Sequence, residues 1–216
     1  MKLWSAWTRD VAPHVSQCPA TVIEFEIRNA AQTFFRGSRA WREVTGYFPV
    51  TAGQQTVLVE PSDPTHELVE LDSSFVMLDN KRLPPITPEQ LDSLYTEDWT
   101  TLTGMPDNHY CLTPNQVSLF RIPSQNAING LKARISITVS DTATGLPDEI
   151  ANRFWDAIVV GARARLMLYK NSAWYDADMA AMYGNAFSAA IDDARLDAAQ
   201  AYSGARIVAR STSKWC

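Results

Sequence analysis

Apolar residues recur at helical spacing in two parts of the chain, one near its beginning and one near its end. In the first part, Thr21 and Glu24 have the spacing of a capping box, and the apolar pattern ends at residues 36–38. We therefore predict a helix over residues 21–36, preceded by a short helix that ends near Pro13. The apolar residues on one face of the main helix are Ile23, Ile27, Ala30 and Phe34.

The second helical pattern lies between residues 146 and 203. The sequence Leu-Pro-Asp-Glu at 146–149 is typical of a helix start. Asn171 interrupts the apolar pattern that follows, and Asp176 is placed to cap a second helix. A short connection makes two such helices antiparallel neighbours. The side chains that we expect to face each other inside this hairpin are Ile150, Phe154, Ile158, Ala186, Phe187 and Ile191.

Between these helical parts, the pattern changes to β-branched and alternating segments bounded by turn residues. Asp79-Asn80-Lys81 has the composition of a tight hairpin turn. Thr87 and Pro88 are suited to the cap and first turn of a short helix. Cys111 falls within a predicted strand, where we expect a small buried thiol.

These patterns predict an α+β fold. The expected architecture is a helical bundle, made of the N-terminal helix and the C-terminal antiparallel helical hairpin, with an inserted β-rich region. The predicted divisions are 1–43 for the N-terminal helices, 44–145 for the β-rich region, 146–203 for the hairpin and 204–216 for a C-terminal arm.

The net charge of −5 is unevenly distributed. Residues 60–107 contain eleven acidic residues against Lys81 and Arg82, a sum of −9, so the remainder of the chain sums to +4. One interpretation is a solvated acidic surface. The other is an acidic face that meets a basic partner or lines a channel that must not hold DNA.

Candidate chemistry is sparse. His14, His66 and His109 stand in separate contexts without a second ligand at metal-site spacing, and no phosphate-binding glycine loop or nucleophile elbow occurs. Cys18, Cys111 and Cys216 are odd in number and far apart, which favours reduced thiols. No apolar run has the length of a membrane span, about 20 residues, and the first residues lack a signal-peptide pattern. We expect no catalytic residue, cofactor, metal or membrane association.

Arg165 is the one conflict in the helical pattern. It falls near the middle of the apolar face that contains Phe154 and Ile158. A buried guanidinium requires a partner, so we predict a carboxylate, either Asp178 on the facing helix or one from an adjacent subunit. The alternative is that the side chain reaches the surface.

The order of these pieces carries more information than any single motif. The helix ends in FFRGSRAWRE, and VMLDNKRLPPITPEQLDSLY follows as strand, turn and short helix. TGMPDNHYCLTPNQVSLFRIP, a strand leading into GLPDEIANRFWDAIVVGARARLMLY, and WYDADMAAMYGNAFSAAIDDAR complete the series. Over about residues 20–200, this succession resembles the head-to-tail adaptor (connector) proteins of tailed bacteriophages, the group that includes tail tubular protein A.

The resemblance implies a structural virion protein at the neck, made in the host cytoplasm. It implies a homo-oligomeric ring, suggested to be a dodecamer, between the portal protein and a downstream tail or nozzle protein, with DNA passing through without specific binding. The residues expected to pack subunits are Phe154, Ile158, Arg165, Tyr183, Phe187 and Ile191. The arm expected to dock on the portal carries Arg206, Ile207, Val208, Arg210, Lys214 and Trp215.

Two other hypotheses stay open from the sequence. Another neck or tail protein, such as a stopper or tail terminator, is expected to be more wholly β-structured and to lack the C-terminal hairpin. An enzyme or ligand-binding protein of unrecognised type is favoured only by a deep pocket with convergent polar groups around His109 or Asp107.

Overall fold

A computed structural model describes residues 1–95 and 98–200, which fall into two compact units. The strand unit comprises Met1–Trp7 and Trp41–Arg153. The helical unit comprises Thr8–Ala40 and Phe154–Cys216, of which residues 201–216 lie outside the described part.

Five α-helices and eleven strands are formed by the described residues. The helices are α1 (Ser5–Val11), α2 (Ala20–Ser38), α3 (Pro88–Leu94), α4 (Asp148–Leu166) and α5 (Ala177–Ala199). The strands are β1 (Lys2–Leu3), β2 (Arg42–Val44), β3 (Thr56–Leu58), β4 (His66–Leu78), β5 (Lys81–Arg82), β6 (Thr103–Gly104), β7 (Asn108–Thr113), β8 (Gln116–Phe120), β9 (Ile122–Pro123), β10 (Leu131–Val139) and β11 (Gly145–Leu146).

The strand unit is built on an antiparallel sheet with the order β2-β10-β4-β5. The long pair β4 and β10 is interrupted by register shifts between Ala133 and Ile135 and between Ser136 and Ile137. Such bulges increase the local twist, which accounts for the curled sheet. Strand β10 is the core of this sheet, and its most buried apolar side chains are Leu131, Ala133, Ile135, Ile137 and Val139.

Two local predictions for this unit are confirmed. Asp79 and Asn80 both have positive φ, as a two-residue turn between β4 and β5 requires. Thr87 accepts a hydrogen bond from the Gln90 backbone, and the Gln90 side chain accepts one from the Thr87 backbone, so α3 begins with a capping box.

A second sheet, β3-β8-β7, covers a separate apolar cluster. Leu91 of α3, Tyr110 and Phe120 form its buried centre. Trp99 lies against both aromatic rings, with centroids 5.5 Å from Tyr110 and 6.4 Å from Phe120. This cluster holds α3 against the sheet.

The first residues of the chain also belong to the strand unit. Strand β1 pairs antiparallel with β11, and the Trp4 indole donates a hydrogen bond to the Ala143 carbonyl at 2.8 Å. A side chain at Gly145 would begin 2.1 Å from the Lys2 carbonyl oxygen. Only glycine permits so close an approach of the two backbones.

In the helical unit, α2 begins one residue earlier than predicted and ends two residues later. Pro19 occupies the N-cap without a side-chain hydrogen bond, so the predicted capping box of Thr21 and Glu24 is wrong. The C-terminal end is closed by Arg39, which adopts a left-handed conformation and donates its backbone N–H to Phe35. The short helix ended near Pro13 is confirmed: α1 passes into a 3-10 turn over Ala12–His14.

The predicted helical bundle with an inserted β-rich region is wrong. The structure is a mixed α/β fold with several sheets. Strand β1 lies outside the predicted β-rich region of residues 44–145, and β2 begins two residues before it. Helix α5 packs mainly along α2 rather than forming a closed hairpin with α4, and residues 167–176 separate α4 from α5. The apolar periodicity identifies a buried face without identifying the element that covers it.

Candidate assembly surface

Four phenylalanines form the centre of the helical unit. The Phe34 ring centroid lies 5.0 Å from that of Phe154 and 6.2 Å from that of Phe187, and Phe35 lies 5.7 Å from Phe154. Gly161 provides the space for one of these rings, because a Cβ there would lie 2.5 Å from Phe187. Phe154 itself interrupts α4 with a non-helical backbone conformation. The cluster thus joins α2, α4 and α5 through aromatic packing.

The residues predicted to face each other have separate locations. Ile158 is fully buried, and Phe154 and Phe187 are buried in the aromatic cluster. Ile191 is half-buried against Gly37 of α2. Ala186 is exposed, and Ile150 belongs to the strand unit. The prediction of one facing set is therefore wrong for Ala186 and Ile150.

The carboxylate that holds Arg165 is Glu26 of α2, and the predicted partner Asp178 is wrong. Arg165 Nε donates to Glu26 Oε2 at 2.6 Å, and the Tyr169 hydroxyl donates to Glu26 Oε1 at 2.6 Å. Glu26 is buried, whereas the Arg165 side chain is 42% exposed. The hydrogen bond to Glu26 raises the pKa of Tyr169 to about 12. This cluster ties the C-terminal end of α4, and the segment after it, to α2.

A second polar cluster joins α1, α4 and α5. Arg163 donates to the Asp10 carbonyl oxygen at 2.6 Å, and its guanidinium lies 5.6 Å from the Tyr183 ring centroid. The Trp155 indole donates to the Asp10 carboxylate at 2.8 Å. Burial, with a smaller effect of Arg163, lowers the pKa of His14 beside Tyr183. Tyr183 therefore contacts this chain's own helices.

Several carboxylates of the acidic segment have local structural roles. Burial raises the pKa of Asp72, but hydrogen bonds from Ser74 and Arg134 outweigh this effect, and the pKa lies below its ordinary value. Asp98 caps the 3-10 turn over Trp99–Thr101 by accepting from the Thr100 backbone. These contacts within the chain explain the presence of some of the acidic residues in segment 60–107 without an external partner.

His109 and Asp107 both make contacts within the strand unit. His109 is fully buried in β7, where its Nδ1–H donates to the Leu83 carbonyl at 3.1 Å. Asp107 lies 3.7 Å from Arg121. A nearby cavity of about 370 Å³ is lined by Val50, Met105, Pro106 and the loop around Ile128, and by neither of these two residues.

Other site predictions can be followed within the described chain. Cys111 is exposed on β7, so the expected buried thiol is wrong. In residues 1–95 and 98–200, no three His, Cys, Asp or Glu side chains are grouped as a metal site. Within the same ranges, every helix is too short or too polar to cross a membrane.

The buried imidazole of His109 should make folding pH-dependent. Burial lowers its pKa, against smaller opposing effects of backbone hydrogen bonds at Leu83 and Pro84. The unfolded chain then binds a proton more readily, so His109 contributes full stability above about pH 6.5 and loses it as the pH falls further. His109→Asn keeps an N–H donor for Leu83 and removes the titration. We measure the free energy of unfolding in urea between pH 8 and pH 5. As the pH falls, this free energy should decrease by up to about 1.4 kcal/mol per pH unit more in wild type than in the variant.

Equal pH slopes for wild type and His109→Asn would show that His109 does not control this loss. The comparison also removes the contributions of other titrating groups, such as His14, because these are common to both proteins.

Sequence reasoning missed Glu26, because its distant partner Arg165 lies 139 positions along the chain. The exposed apolar residues of the helices were also not predicted, because helical spacing does not indicate what such residues contact. All residues of the predicted docking arm lie outside the described part of the chain; they are Arg206, Ile207, Val208, Arg210, Lys214 and Trp215.

Comparison with known families gives one match of nearly full length. The family model described as SU10 adaptor protein matches residues 9–210. No curated protein matches the chain. The matched range contains α2, α4 and α5 together with most of the strand unit.

Proposed function

The chain belongs to the SU10 adaptor protein family, and from this we propose that it forms a ring between portal and tail and lines the DNA channel. Membership confirms the resemblance to phage head-to-tail adaptors. It makes the protein a structural component of a virion that interacts with other head and tail proteins. The match over residues 9–210 is the observation that carries the proposal, because it spans the whole succession of elements.

The ring is proposed as a closed assembly of identical subunits, with the dodecamer that the resemblance suggests. A closed ring requires one head-to-tail contact, repeated around the axis. The net charge of −5 supports a channel role, because an acidic wall repels DNA phosphates and allows the duplex to slide.

Electron microscopy of the purified protein, alone and mixed with portal protein, tests this proposal. We expect rings with a central opening, and in the mixture we expect rings stacked on the portal. Separate subunits in both samples would contradict it.

The C-terminal arm, residues 204–216, is proposed to dock on the portal. It combines Arg206, Arg210 and Lys214 with three apolar residues, Ile207, Val208 and Trp215, and contains no acid. Tryptophan and arginine dominate binding hot spots, so an acidic or apolar portal groove is the expected partner.

Deleting the residues after Ser203 should abolish portal binding while changing the melting temperature by only a few degrees. Portal binding is measured by co-sedimentation, and thermal unfolding by circular dichroism. A full-length control with Arg206, Arg210 and Lys214 replaced by glutamine separates the charge from the apolar contacts. Undiminished binding of the truncated protein would place the docking surface elsewhere.

A further inference from the structure

One loop of the strand unit presents an exposed isoleucine on a fixed backbone. Ile128 is 91% exposed, although both of its neighbours in the chain are held in place. Ala127 donates its backbone N–H to the Val50 carbonyl oxygen at 2.9 Å. Asn129 donates its backbone N–H to Asp79 Oδ1 at 2.6 Å. An apolar side chain on a loop that is fixed in this way loses little conformational entropy when a partner covers it.

The cavity beside Ile128, called here the apolar pocket, combines buried and exposed apolar residues. Its volume is about 370 Å³, and its lining includes the buried side chains of Val50 and Leu78. Met105, which is 63% exposed, belongs to the same lining. The pocket has room for a leucine side chain. A small ligand inside it would leave Met105 and Ile128 in water, whereas a protein neighbour would cover both.

The hairpin formed by β7 and β8 carries another exposed apolar side chain. Leu112 is 69% exposed and directly precedes Thr113, which pairs with Gln116 across the hairpin turn. Leu58 of β3 is 51% exposed and pairs with Gln116 on the other side of β8. This end of the sheet β3-β8-β7, called here the hairpin end, therefore exposes two leucines.

The hairpin end and the apolar pocket are both poor in charge, although the strand unit as a whole has an excess of acidic residues. At the hairpin end, segments 51–59 and 110–120 contain no Asp, Glu, Lys or Arg. Around the pocket, segments 103–106 and 122–131 contain none either, and Asp79 is the one ionisable residue of the lining. Acidic surfaces of two copies repel each other, whereas two uncharged apolar surfaces meet without this cost.

The two surfaces lie toward opposite ends of β3. Before the strand, Gly53 donates its backbone N–H to the carbonyl oxygen of Pro123, a lining residue of the pocket, at 2.8 Å. After the strand, Val59 donates its backbone N–H to the carbonyl oxygen of Asn115, in the hairpin turn, at 2.8 Å. Strand β3 with one residue on either side spans about 13 Å. This length exceeds the reach of a leucine side chain, so Leu112 can enter only the pocket of another copy.

We propose that Leu112 of one subunit inserts into the apolar pocket of the next subunit, between Met105 and Ile128. The contact joins two different surfaces, so it is head-to-tail, which is the type that closes a ring. The partner is a second copy of this chain, because the two surfaces share their lack of charge and lie at opposite ends of one unit. This inference rests on the proposed ring and names surfaces that join its strand units.

Two full-length variants test the contact, Leu112→Asp at the hairpin end and Ile128→Asp beside the pocket. Each variant alone should show a ring population reduced about tenfold or more, because the contact would bury a carboxylate without a partner. Assembly is measured by light scattering after size-exclusion chromatography, and circular dichroism verifies that each variant is folded. The matched control is Leu94→Asp, which changes a leucine that is 67% exposed on α3 of the same unit and should assemble as wild type does.

An equal mixture of the two variants tests whether the contact is head-to-tail. The Ile128→Asp protein keeps its Leu112, and the Leu112→Asp protein keeps its pocket, so one intact contact can form between them. The opposite contact of such a pair would bring two aspartates together. The mixture should therefore contain heterodimers and no rings.

The outcomes separate this inference from the proposed function. If wild type forms no rings, the proposed function fails together with this inference. If wild type forms rings and either variant assembles equally well, or if the mixture contains no heterodimers, only the contact between Leu112 and the pocket is overturned. The protein truncated after Ser203 tests the arm as another occupant. If truncation and Ile128→Asp reduce assembly equally while Leu112→Asp has no effect, the arm fills the pocket and the inference is wrong.

Discussion

Replacing Phe154 with alanine should lower the free energy of unfolding by about 3–5 kcal/mol. Phe154 is buried between Phe34 and Phe35, with ring centroids 5.0 and 5.7 Å away. Alanine would leave a cavity beside Phe34. Helix α2 cannot move to fill this cavity, because Phe34 also packs against Phe187 of α5. Urea unfolding of the unassembled subunit, followed by circular dichroism, measures the loss.

Phe25→Ala is the matched control, because it removes the same side chain from an exposed position on α2. Its cost should stay below about 1 kcal/mol. A loss of that size for Phe154→Ala as well would show that the aromatic cluster does not stabilise the subunit. Both measurements require concentrations at which the protein is monomeric, since any association adds its own stabilisation.

The local elements of this protein could be predicted from the sequence to a large extent. The Asp176 cap of α5, the Thr87 cap of α3 and the turn at Asp79 and Asn80 are each encoded by a few adjacent residues. Caps and turns depend on side chains that reach only their own backbone, so spacing alone identifies them.

The arrangement of the elements could not be predicted in the same way. Helix α5 carries apolar residues around most of its circumference, so periodicity does not decide whether Phe187 or Ala186 faces the core. The structure buries Phe187 and exposes Ala186. The choice follows from the position of α2, whose Phe34 and Gly37 accept side chains from one side of α5 only. Such complementarity between distant segments has no local signature.

The same difference between local and long-range information applies to the candidate assembly surface. The order of the pieces indicates the family, because that order is a property of the whole chain. The exposure of Phe25 could not be predicted from spacing, since the helical stripe of Ile23, Ile27 and Phe34 accounts for the core without it. Only the structure reveals that Phe25 is left outside while Glu26, its neighbour, is buried.

Breaking the contact between Arg165 and Glu26 should give the second large effect. Arg165→Met should cost about 2–3 kcal/mol, below the 3–5 kcal/mol typical of a fully buried pair, because the Arg165 side chain is 42% exposed. The cost arises mainly at Glu26. Among the described residues, its buried carboxylate would keep only the Tyr169 hydroxyl at 2.6 Å and the Asn29 amide at 3.4 Å as hydrogen-bond donors.

A double-mutant cycle with Glu26→Gln measures this contribution separately from lost packing. The coupling energy between Arg165 and Glu26 should be about 1–3 kcal/mol, because the charge left behind is desolvated. The matched control is the exposed pair Arg195 and Asp192 on α5, with side chains 54% and 67% exposed, for which we expect no more than about 0.5 kcal/mol. If the two cycles give the same small coupling, Glu26 is not held by Arg165 in solution. A large coupling would establish that this cluster fastens the end of α4 to α2.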